Sequence, residues 1–315
     1  MDPEQLERTL LGGERRYTRL EVAEKAGVPI ERATRLWRAL GFATVNDEDV
    51  VFTDADVDAV RTADQLISSG LLASDLEGAV ARALGQHLSR LAEWQVDLLW
   101  SLIAGNEGLD DQQVIRLVER LVPELQRVQD FVWRRHLTAF AGRALTSPEE
   151  DLEARTEVAG FVDMVGYTRL TRRLNETGLS DVLERFEALA TEVVADQHGR
   201  IVKMIGDEVL FVADSARDGA EIALALTERA SADATLPDVR AGLASGRILS
   251  RFGDVYGSVV NLASRLTSIA RPGTILIDRE LATELRSAPG YVVRPRRSAS
   301  VRGYARLRPF ALRRA

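Results

Sequence analysis

Asp163 closes the apolar stretch GFVDM just before Val165-Gly166-Tyr167-Thr168, and Asp207 follows 44 residues later at the tip between IVKMI and EVLFVA. The first and second strands of such an arrangement, GFVDM and IVKMI, can lie side by side, which makes the two carboxylates converge. Two carboxylates with backbone carbonyls suit a hard divalent ion, Mg²⁺ or Mn²⁺, above all when phosphates complete the shell. Each aspartate also has a plain structural reading, Asp207 as a turn residue and Asp163 as a helix cap. Lys203 lies on an inward-looking strand, where a lysine snorkels or pairs. Asn261 and Arg265 stand four apart on a helix and so share a face. An amide and a guanidinium together suit a ribose or phosphate oxygen, and equally make a surface hydrogen-bonding pair. Residue types and spacing reach a phosphate-and-metal site and stop there.

The elements that must position these groups begin at a change of texture. TEVAGFVDMV reads as a strand and SDVLERFEALATEVVADQHG as an amphipathic helix. IVKMI and EVLFVA make a hairpin around Gly206-Asp207, SARDGAEIALALTERASA is helical, and VRAGLASGRILS is again a strand. VYGSVVNLASRLTSIA, GTILID and RELATELRSA then read as helix, strand and helix. The order β-α-β-β-α-β with further elements describes an α+β fold, one antiparallel sheet with covering helices, over residues 156–315.

Before it, residues 1–141 read as all-helical. TRLEVAEKAGV and PIERATRLWRALGF, within 17–60, are two short amphipathic segments split by Gly27-Val28-Pro29, a spacing similar to small helix-turn-helix units of the merR type. From about 57 to 141 apolar residues recur at threes and fours, with Leu84, His87, Leu88, Leu91 and Trp94 on one stripe. Pro123 is expected to end or kink the last helix, and Asn106-Glu107-Gly108 to separate it from the one before. Such apolar helices need a partner, which makes a dimerising role the economical reading. Residues 142–155, GRALTSPEEDLEAR, read as a linker.

Composition narrows the classes. The 315 residues include no cysteine, which removes disulfides, thiolate metal sites and cysteine nucleophiles together. With 6% aromatic residues there is little material for a nucleic-acid stacking platform, and a net charge of -7 argues against a general polyanion binder. No run approaches a membrane span and MDPEQLERTLLGGERRY has no signal-peptide core, so a cytoplasmic location is expected. The last 25 residues carry eight arginines and no acid, a solvated face or a phosphate contact.

FVDMVGYTRL, IVKMIGDEVLFVA and FGDVYGSVVNLASRL together resemble the catalytic domain of the class III nucleotidyl cyclases, the adenylate and guanylate cyclase family. The resemblance covers about 155–310. It implies that Asp163 and Asp207 hold two divalent ions, and that Lys203 and Asp254 read the adenine edge, hence ATP rather than GTP. It further implies that Asn261 orients the ribose, that Arg265 stabilises charge on the α-phosphate, and that Arg247 contacts the terminal phosphates. Arg302 falls where many members place a phosphate-binding lysine before glycine. Sites in this family form between two catalytic domains, so a homodimer is implied.

The helical half followed by one cyclase domain resembles the soluble two-domain actinobacterial cyclases activated by acid, whose helical domain restrains the catalytic domains and can hold a fatty acid. His87 and His136 are the histidines of that half. The linker carboxylates Glu149, Glu150, Asp151 and Glu153 facing the basic tail are another candidate switch. His198, beside Gly199, reads as a cap or surface group. The alternative is a transcription regulator that binds DNA through residues 17–60, with a nucleotide-sensing cyclase-like half.

Overall fold

A computed structural model describes residues 3–106, 108–146, 154–301 and 303–315. The chain divides into two compact units, Met1–Arg143 and Ala144–Ala315.

The first unit is helical: α1 (Pro3–Leu11), α2 (Arg19–Ala26), α3 (Ile30–Leu40), α4 (Asp54–Ser68), α5 (Glu77–Ala104) and α6 (Asp111–Thr146). A capping box starts α2, where the Thr18 hydroxyl accepts from Glu21 N and Thr18 N donates to the Glu21 carboxylate. Val22, Ala23, Val28, Ala33, Trp37, Val57 and Val60 form a small core, with Trp37 stacked on Phe52 at 4.8 Å between centroids. Arg32 of α3 reaches Asp64 of α4 and Glu77 of α5, tying three helices. Pro123 does not end the helix: α6 runs through it. Neighbouring backbone bonds sustain the helix past a single missing N–H.

The second unit is built on a sheet. Its strands are β1 (Ala154–Met164), β2 (Arg200–Ile205), β3 (Glu208–Ala213), β4 (Val239–Arg251), β5 (Asp254–Tyr256), β6 (Ile275–Ile277), β7 (Tyr291–Pro295) and β10 (Phe310–Arg314), with β8 (Ala299–Val301) and β9 (Tyr304–Leu307) as a separate hairpin. The order is β2-β3-β1-β4-β6-β10-β7, and β5 pairs with β4. Two expectations are corrected. The neighbour of β1 is β3, the far arm of the hairpin, rather than β2. The sheet is mixed, since β6 runs parallel to β4. The cause is α10 (Ser258–Ile269), a crossover helix that returns the chain in the same direction.

Period-2 alternation splits the sheet's side chains between two cores. Val158, Val162, Val209, Phe211, Ala241 and Leu243 face α8 (Glu176–Asp196), α9 (Ala216–Ala232) and α11 (Arg279–Arg286). Ala159, Phe161, Leu210, Val212, Ala244 and Ile248 face α10. A one-turn helix, α7 (Tyr167–Leu170), follows β1.

Candidate active site

Register decides what the α10 face presents. At one end of the sheet Glu208 of β3 pairs with Asp163 of β1, and Asp163 with Arg240 of β4. One rung inward, Lys203 pairs with Leu210, Leu210 with Phe161, and Phe161 with Gly242. The functional candidates therefore stand at the rim of the α10-side core.

The β2–β3 turn brings in Asp207. Gly206 takes φ 61°, the glycine-first pattern of a type II′ hairpin, which lets the turn be two residues long. The Asp207 carbonyl accepts from Met164 N at 3.0 Å, docking the tip on the end of β1. Burial, then the charge of Asp163, raises the Asp207 carboxyl above its ordinary range, against hydrogen bonding and Arg240. Beside it, burial followed by the charges of Asp163 and Asp207 pushes Glu208 up to about 7. Arg240 Nε and Nη2 both lie 2.6 Å from Asp163 Oδ2.

Three carboxylates thus face one guanidinium, an excess of negative charge that fits a hard divalent cation. Among the described residues no group of three or more His, Asp or Glu side chains is arranged to hold a metal. Asp163 and Asp207 could hold one with backbone oxygen, water and substrate phosphate as the other ligands. Arg240 and Glu208 escaped the sequence reading, because an arginine and a glutamate on apolar strands have no meaning until register sets them beside Asp163.

Lys203 Nζ lies 2.7 Å from Asp254 Oδ2. Asp254 starts β5 at a two-residue turn from Arg251 and accepts from Val255 N at 2.8 Å. Burial opposes its ionisation, but the Lys203 and Val255 hydrogen bonds outweigh it and hold the carboxyl below its ordinary range. Asn261 is exposed and Arg265 half-buried, both on α10.

Arg247 is exposed on β4, opposite Thr156, at the far end of the strand from Arg240. Arg302 and the linker carboxylates Glu149, Glu150, Asp151 and Glu153 lie outside the described residues. His198 is exposed at a left-handed position (φ 57°) after α8. The structure thus joins Asp163 with Asp207, and Lys203 with Asp254, and sets Asn261 and Arg265 on one helix.

Comparisons with known proteins match both halves of the chain. Residues 155–314 match the adenylate and guanylate cyclase catalytic domain, and residues 4–126 the adenylate cyclase regulatory domain. An adenylate cyclase of Streptomyces coelicolor is 46% identical over 291 residues, covering 90% of this chain and 76% of the relative. One from Glutamicibacter nicotianae is 37% identical over 326 residues, covering 98% and 81%. A pH-sensitive adenylate cyclase of Mycobacterium tuberculosis is 35% identical over 319 residues, covering 95% and 79%. The regulatory-domain match over the helix-turn-helix segment disfavours the transcription-regulator alternative. Catalytic domain, regulatory domain and relatives matched over nine-tenths or more of the chain together place it in the adenylate and guanylate cyclase family.

Proposed function

We propose that this chain is an adenylate cyclase, converting ATP to 3′,5′-cyclic AMP and pyrophosphate at two equivalent sites shared between the catalytic domains of a cytoplasmic homodimer. The Lys203–Asp254 pair, 2.7 Å apart on the α10 face, carries the reading. Its ammonium donates to adenine N1, and its ionised carboxylate accepts from the exocyclic amine. Guanine presents the reverse pattern at these points, so ATP is preferred.

Asn261 orients the ribose, and Arg265 offsets the charge that grows on the α-phosphate. The ribose 3′-oxygen attacks the α-phosphorus in line, and pyrophosphate leaves. Asp163 and Asp207 would hold the two divalent ions, Mg²⁺ or Mn²⁺, that the resemblance implies, and these would acidify the 3′-hydroxyl and neutralise phosphate charge. Arg247 contacts the terminal phosphates, and Arg302 takes the place of the family's phosphate-binding lysine. No side chain serves as general base, so positioning and electrostatics supply the rate. One domain of the dimer contributes the aspartates to a site, and the other contributes Lys203, Asp254, Asn261 and Arg265. The helical unit restrains the catalytic unit and releases it toward acid pH.

The test is cyclic nucleotide formation by the full-length protein, with ATP or GTP and Mn²⁺ or Mg²⁺, across about pH 5.5 to 8. Cyclic AMP rising toward acid pH is expected. Activity flat with pH removes the acid response and keeps the enzyme, whereas no product from a confirmed dimer ends the catalytic reading.

A further inference from the structure

We propose that Gly242 is a positioning residue for cyclisation: its lack of a side chain seats α10 directly on β4 and so sets the place of Asn261 and Arg265. The inference rests on the adenylate cyclase reading above.

A Cβ on Gly242 would lie 2.2 Å from Thr267 N, 2.5 Å from Ala263 O and 2.6 Å from Thr267 Oγ1. The first two atoms are helix backbone, so no rotamer change relieves the clash and the helix itself must move. Around this bare spot α10 is stitched down. Thr267 is 2% exposed, and its hydroxyl donates to Ala263 O at 3.0 Å and reaches Phe161 O of β1 at 3.4 Å. Arg240 Nη1 reaches Ser268 O at 3.3 Å while its Nε holds Asp163.

The contact point falls at the working part of the helix. Ala263 lies between Asn261 and Arg265, and Thr267 is two residues beyond Arg265. Restoring ordinary contact distances requires a lift of roughly 1 Å, and a misplacement of about 1 Å costs on the order of 10²-fold in rate. Lys203, Asp254 and Asp207 sit on strands and hairpins outside this seat, and Asp163, on β1, is linked to it through the Arg240 side chain. Disturbing it therefore separates turnover from nucleotide and metal binding.

The experiment compares full-length Gly242→Ala with Gly160→Ala. A Cβ on Gly160 would be equally crowded, 2.2 Å from the Phe211 ring, but on the face turned away from α10. For each protein, kcat and KM for cyclic AMP formation, Mn²⁺ affinity without nucleotide, and the thermal midpoint are measured. Gly242→Ala is expected to lower kcat by about 10- to 100-fold, with KM and Mn²⁺ affinity within roughly threefold of the parent. Gly160→Ala is expected to lower the midpoint while keeping kcat per folded molecule within about threefold. Thr267→Val, which removes the hydroxyl bonds without adding bulk, gives the same split in milder form and serves if Gly242→Ala does not fold. Equal kcat losses in the two alanine variants at equal loss of stability, or a change confined to KM, overturn the proposal. A parent protein that makes no cyclic AMP sinks the cyclase reading and this inference with it, a result seen before any variant is compared.

Discussion

Glu208 stands directly opposite Asp163 across the β1–β3 ladder and next to Asp207, and its ordinary value of 4.5 rises to about 7 through burial and those two charges. Between these values the folded chain holds a proton that the unfolded chain has released. Stability therefore falls as pH rises through this window and stays reduced above it. Glu208→Gln should raise the thermal midpoint of the metal-free protein at pH 8 by a few degrees, for roughly 1–3 kcal/mol, and leave it nearly unchanged at about pH 4, below the unfolded value. A variant that melts like the parent at pH 8 as well as at about pH 4 contradicts this. Lys203 offers a second test at the same scale. Lys203→Gln removes the charge that holds Asp254 ionised and the donor proposed for adenine N1. Turnover of ATP should fall at least about tenfold while the ATP-to-GTP preference narrows, as steady-state rates with both nucleotides will show. An unchanged preference would remove Lys203 from base recognition.

Elements in both units meet through glycine. In the helical unit a Cβ on Gly85 of α5 would lie 2.2 Å from Leu40 O and 2.8 Å from its Cα, so α3 and α5 cross with backbone nearly touching side. The Arg32 link to Glu77 of α5 clamps the same crossing from its other end. Gly85→Ala should force α3 and α5 apart and destabilise the helical unit by roughly 1–3 kcal/mol. Calorimetry should show the transition of the helical unit moving down while that of the sheet unit stays in place. A single transition shifted as a whole would mean that the two units unfold together. In the sheet unit the equivalent device is Gly242 under α10, with the difference that this helix carries proposed active-site residues.

At the scale of the molecule, α5 and α6 leave Trp94, Trp100, Phe131 and Trp133 exposed, apolar surface of the kind that a second chain covers. The proposed homodimer also predicts complementation. Asp207→Ala removes a residue from one half of each site, and Arg265→Ala from the other half, so each variant alone should be nearly inactive. Mixed chains should regain roughly a quarter of parental activity, since half the dimers are mixed and each mixed dimer keeps one complete site. Recovery measured after co-expression is the readout, and a mixture as inactive as its parents would leave no role for shared sites.

Local sequence was enough for the elements and for the identity of the candidate residues. Alternation and helical periodicity place β1, β2, β3 and α10, and the hairpin at Gly206-Asp207 follows from turn chemistry, because these are properties of a chain segment and its nearest neighbours. The resemblance of three short blocks supplied the proposed roles of Asp163, Asp207, Lys203, Asp254, Asn261 and Arg265. Long-range pairing decided the rest. The choice of β3 over β2 as the neighbour of β1 and the parallel β6 depend on contacts that no local pattern encodes. The same holds for Arg240 on Asp163, for Glu208 titrating near neutrality and for Gly242 under Thr267. Each is a relation between residues dozens of positions apart, and strand register is what brings them within reach of one another.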